Sequence, residues 1–153
     1  MPVRMTQKDV AVPLILDTNV VLDWLVFRHP CGVGLERALR SGTWQWAVTR
    51  EMHQELDHVL GRGHLDGWQP DRAAIEVARA TYASLVQPSA LGLARLRCSD
   101  PDDQKFIDLA LQLASSTLLS SDRALLKLAR RARAAGVSIM TPAEWLRGEP
   151  PAG

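Results

Sequence analysis

Four short apolar runs, each closing on a hydroxyl or acidic residue, constrain this chain more than any other feature. The first, VPLIL at 12–16, ends on Asp17. WQWAV at 44–48 ends on Thr49, TLL at 117–119 ends on Ser120-Ser121-Asp122, and VSIM at 137–140 ends on Thr141. A run with no polar position, such as the first, predicts a strand buried on both faces. Strands this short, separated by segments of helical period, predict an α/β fold with a parallel sheet.

The intervening segments read as helices. Thr18 or Asn19 can cap a helix through Val20, Val21, Leu22, Leu25 and Val26, broken at His29-Pro30. A weaker helix is expected over 33–39, stopping at Ser41-Gly42. The spacing of Met52, Leu56, Val59 and Leu60 predicts a helix over 50–60. Another is expected over 70–85, and one opens at Asp100-Pro101-Asp102-Asp103. A basic helix is expected from Asp122 to about Ala135, ended by Gly136, and a last one starts at Thr141-Pro142. With 153 residues, one domain over 11–147 is expected, between flexible tails at 1–10 and 148–153.

Composition excludes more than it selects. Eighteen Lys and Arg against 17 Asp and Glu give a net charge of +1, so nothing draws the chain as a whole to nucleic acid. Two cysteines, Cys31 and Cys98, form no CxxC pair, which fits a reducing cytoplasm and no structural zinc. No apolar run approaches the ~18 residues of a membrane span, and Arg4 and Lys8 precede no signal-like apolar stretch. His53 and His58, five apart, fall on different sides of a helix and make no HExxH-type zinc site.

Chemistry enters at the strand ends, where open α/β sheets gather their functional groups. Asp17 and Asp122 each follow a strand, Asp103 lies in a first helical turn, and Glu55 lies mid-helix. Two like charges about 5 Å apart repel by roughly 3 kcal/mol at an effective dielectric near 20. Several such pairs rival the whole stability of a domain, about 5–15 kcal/mol. Carboxylates so gathered must take up protons or bind a cation, and oxygen ligands alone favour Mg²⁺ or Mn²⁺.

The blocks LILDTNVVL, EMHQELDHVL, CSDPDDQKFIDLAL and LLSSDRALLKL, in this order, resemble the PIN-domain nucleases. The likeness is to the subgroup described as toxin components of toxin–antitoxin systems, and runs to IMTPAEWL near Leu146. It implies a three-layer α/β/α sandwich with a mainly parallel sheet, PIN-like and related to the 5′-nuclease fold. It further implies Mg²⁺ or Mn²⁺ held by Asp17, Glu55, Asp103 and Asp122, with Thr18, Asn19 and Ser120 in support. RNA cleavage, a homodimer and a neutralising antitoxin are what such a family leads one to expect.

Competing readings stand beside these. Glu51 lies one turn before Glu55 on the same helix face, and Asp100 and Asp102 compete with Asp103. Asp103 stands seven residues before Ala110, as in the family, while Asp100 suits an N-cap with Pro101 at N1. Lys127, Arg130, Arg131 and Arg133 suit a helix C-terminus, a solvated face that could also meet RNA phosphates through Lys127, Arg130 and Arg131. Trp44 and Trp46 read as core or dimer contacts. A haloacid-dehalogenase-type phosphatase would need an acid where Asn19 stands. A PIN-like module that binds RNA or protein without cutting is the alternative function.

Overall fold

A computed structural model of the chain describes residues 11–89 and 96–148. The expected N-terminal tail and residues 149–153 lie outside the described residues, whereas residue 148 ends a helix. Five strands, β1 (Val12–Leu16), β2 (Trp44–Val48), β3 (Ala83–Leu85), β4 (Thr117–Leu119) and β5 (Ser138–Met140), form one sheet in the order β3-β2-β1-β4-β5. Every pairing is parallel, with Leu14 opposite Trp46 on one side and Thr117 on the other.

Around the sheet lie α1 (Thr18–Leu25), α2 (Cys31–Ser41), α3 (Arg50–Gly61), α4 (Arg72–Tyr82), α5 (Gln104–Gln112), α6 (Arg123–Leu126), α7 (Ala129–Ala134) and α8 (Pro142–Gly148). Strand β1 is central, and Leu14, Ile15 and Leu16 are buried as the VPLIL run predicts. Indole rings fill the space between the β2 side of the sheet and its helices. Trp46 meets Trp24 of α1 edge to face at 5.5 Å, and Trp44 meets Trp145 of α8 at 5.3 Å.

Four expectations are corrected. Asp17, not Thr18 or Asn19, caps α1, because helical geometry begins at Thr18 and the Asp17 carboxylate reaches Val20 N at 2.8 Å. Helix α2 begins at Cys31, whose N–H is held by His29 Nδ1 at 3.0 Å, rather than at residue 33. The helix expected over 70–85 stops at Tyr82, and its last three residues form the edge strand β3 on Trp46–Val48. No glycine or proline marks that change, so hydrogen bonding to β2 decides it. The single basic helix is two, α6 and α7, since Leu128 N bonds Leu125 O at 3.0 Å in a tighter turn that points both leucines inward.

Candidate metal centre

Strand adjacency builds the centre. Strands β1 and β4 are neighbours, and their pairing runs on past their ends through Asp17 N to Leu119 O at 3.2 Å. Asp17 and the Ser120-Ser121-Asp122 turn therefore emerge side by side. Asp17 is buried: Oδ1 accepts from Val20 N, and Oδ2 accepts from the Ser120 hydroxyl. The same Ser120 Oγ accepts from Asp122 N at 2.9 Å, so one hydroxyl fixes both acids. Asp122 in turn caps α6 through Ala124 N at 2.8 Å.

The third contribution to the centre comes from the turn before α5. A short 3₁₀ turn, Pro101–Asp103, is capped by Asp100, which accepts from Asp102 N at 3.0 Å, and Asp103 then heads α5. Asp100, Asp103 and Asp122 each offer a carboxylate oxygen within 4.8 Å of the others. Asp103 Oδ2 is buried with no hydrogen-bond partner among the described residues.

Electrostatics records the crowding. Burial, opposed by the Ser120 and Val20 hydrogen bonds and assisted by Asp122 and Asp23, raises the Asp17 pKa to about 6. Burial first, then the hydrogen bond and charge of Asp122 and the charges of Asp100 and Asp17, raise Asp103 to about 7. No ion pair among the described residues engages Asp17, Asp100, Asp103 or Asp122. An oxygen-only donor set with an orphaned buried oxygen, and with none of its four aspartates ion-paired among the described residues, fits a hard divalent cation.

Glu55 stands differently. It is not one of the three mutually close acids; Oε2 accepts from Thr18 Oγ1, and Oε1 lies 3.0 Å from Lys105 Nζ. Glu51, one turn earlier, is exposed, so Glu55 is the carboxylate that α3 turns toward α1 and α5. Of the expected supporting residues, Ser120 and Thr18 bond acids directly, whereas Asn19 is exposed. Lys127, Arg130, Arg131 and Arg133 are exposed on and between α6 and α7. His53 is half-buried, and His58 is exposed on the same helix.

One participant stood in the sequence only as a competitor of Asp103, and a second was missed. Asp100 both caps a turn and faces Asp103 and Asp122, so its role as a cap hides its membership in the acidic group. Lys105 lies second in α5, where the helix dipole disfavours a cation, and that misplacement is its only sequence signal.

An all-parallel sheet that delivers acids from the ends of β1 and β4 to one edge defines an α/β protein with a carboxylate centre at a strand-order switch. Comparison with protein families makes this specific: the model of the PIN domain matches residues 13–124, and the chain belongs to the PIN-domain family, whose fold is of nuclease type. The match spans Asp17, Glu55, Asp103 and Asp122 and stops short of β5 and α8. A search of curated proteins returned no match.

Proposed function

We propose that this PIN domain is an endoribonuclease dependent on Mg²⁺ or Mn²⁺, centred on Asp17, Glu55, Asp103 and Asp122, with Asp100 as a further donor. The observation that supports it is the meeting of Asp100, Asp103 and Asp122 beside buried Asp17, none of the four in an ion pair among the described residues. A divalent ion bound there supplies charge neutralisation at a phosphodiester and lowers the pKa of a water. The chain's part is orientation and proton handling. Ser120 and the α1 N-terminus hold Asp17 in one position, and Ser120 sets the register of Asp122 against it. With no cation bound, Asp103 is the acid whose affinity for a proton lies nearest neutrality, and that proton must leave for an ion to bind. Lys127, Arg130 and Arg131 would meet the RNA backbone, since they are exposed along the helix pair that starts at Asp122.

The test is isothermal titration with Mn²⁺ alongside cleavage of single-stranded and structured RNA, for the wild type and Asp17→Asn. Expected are ion binding and cleavage in the wild type, and neither in a folded Asp17→Asn. Undiminished cutting in excess chelator would sink the proposal, and tight RNA binding without cutting would favour the non-cleaving alternative. Arg130→Ala and Arg131→Ala should weaken RNA binding and flatten its salt dependence by about one counterion each; an unchanged slope removes these two from the interface. A toxin role, with a homodimer and a neutralising antitoxin, rests on the family resemblance. Growth arrest on expression, relieved by an adjacent gene product, would support it; harmless expression of active enzyme would count against it.

A further inference from the structure

We infer that Lys105 is a positioning residue that clamps Glu55 to the acidic turn and offsets one negative charge of the centre. Its ammonium lies 3.0 Å from Glu55 Oε1, donates to the Asp102 carbonyl, and stands 5.1 Å from the centre of the Phe106 ring. The side chain is only 13% exposed, too enclosed for a casual surface pair. Position strengthens the argument. A lysine in the first turn of α5 works against the helix dipole, so a tertiary partner must favour its place there.

The two contacts join different elements. Glu55 belongs to α3, while the Asp102 carbonyl belongs to the 3₁₀ turn whose other residues include Asp103 and whose cap is Asp100. One ammonium thus ties the lone carboxylate to the backbone that aims the other acids. Thr18 occupies the second oxygen of Glu55, so both oxygens are held by the chain. Glu55 is kept one ammonium away from the acidic turn, with its charge already compensated. Removing Lys105 has two separable effects: the centre becomes more negative, and Glu55 loses the tie to the turn.

Two measurements test this, the second resting on the nuclease reading above and the first independent of it. In metal-free protein, urea midpoints of Lys105→Met, Glu55→Gln and the double variant should be non-additive, because one interaction is lost in all three. Additive midpoints overturn the clamp. In the Mn²⁺ titration, Lys105→Met should bind the ion about tenfold more tightly, since a nearby positive charge is gone. Its kcat on RNA should fall while Lys105→Arg restores both toward the wild type. A lysine that merely supports the fold would leave ion affinity per folded molecule unchanged, and that result, or weaker binding by Lys105→Met, overturns the inference. Coupled urea midpoints in a wild type that neither binds Mn²⁺ nor cuts RNA would uphold the clamp and reject the nuclease reading instead.

Discussion

A carboxylate that keeps its proton at the wrong pH makes the residue scale measurable. Asp17 and Asp103 are both raised, from 3.8 to about 6 and about 7. The folded chain therefore binds more protons than the unfolded one across that interval, and stability is present at low pH and lost as pH rises through the folded values. For buried Asp17 the loss amounts to about 3 kcal/mol once it is ionised. Metal-free protein should accordingly melt at a lower temperature at pH 8 than at pH 5, and Mn²⁺ should raise the melting temperature more at pH 8. Asp103→Asn should flatten the profile; a metal-free melting temperature that climbs from pH 5 to 8 would refute the argument. Ser120 supplies a second test. Ser120→Ala strips buried Asp17 Oδ2 of its donor and Asp122 N of its acceptor, so it should cost about 1–3 kcal/mol in urea unfolding. A change below about 0.5 kcal/mol would show that water replaces the hydroxyl. Asp17 and Asp122 were legible in the sequence because one follows an apolar run at once and the other after two serines. Asp100 was legible only as a rival of Asp103, since a helix cap and a cation donor call for the same residue type. Lys105 was not, since its partner Glu55 lies 50 positions away and only the fold brings them together.

At the scale of elements, the legible features were those written in local pattern. VPLIL has no polar position and TLL only Thr117; both became paired strands, and Gly136, at φ +84, ends α7 as a left-handed residue should. Strand β3 was invisible because Ala83, Ser84 and Leu85 continue the helical spacing of α4 and become a strand only against β2. The break between α6 and α7 was hidden for a related reason: both halves carry helix-forming residues, and the inward turn of Leu128 comes from packing. Helix packing also gives the glycines opposite roles. A Cβ on Gly32 would stand 2.8 Å from Trp24 Cδ1 and 3.3 Å from Trp24 Cα, where α1 and α2 meet. Trp24 is itself wedged against Trp46, so neither the ring nor the backbone can yield freely. Gly32→Ala should destabilise by about 1–3 kcal/mol and shift tryptophan emission. Gly61, at the end of α3, would gain a Cβ with nothing within 4 Å, so Gly61→Ala should stabilise by about 0.4–1 kcal/mol. Equal effects at the two sites, read by urea unfolding, would contradict the packing described.

For the whole molecule, strand order matters more than any single strand. The order β3-β2-β1-β4-β5 places β1 and β4 side by side although Asp17 and Ser120 are 103 positions apart, and no local pattern encodes that adjacency. A parallel sheet was legible; which strands touch was not, because adjacency is set by packing between distant segments. The same order implies that the region matching the family, which ends at residue 124, is not a folding unit. Beyond it, β5 pairs with β4 from Thr117 to Leu119, Met140 O accepts from Ser120 N at 3.0 Å, and Trp145 is buried against Trp44. Without those residues β4 becomes an edge, buried Leu118 and Leu119 lose their cover, and the Ser120 backbone that positions Asp17 and Asp122 loses its acceptor. A chain truncated after residue 124 should therefore lack a cooperative thermal transition and expose apolar surface to a hydrophobic dye. Truncation after residue 148 should leave the transition intact, because every described strand and helix is retained. Cooperative unfolding of the shorter chain, at a temperature within a few degrees of the longer one, would mean that β5 and α8 are appendages and that β1, β4 and the turn before α5 hold the acidic centre without them.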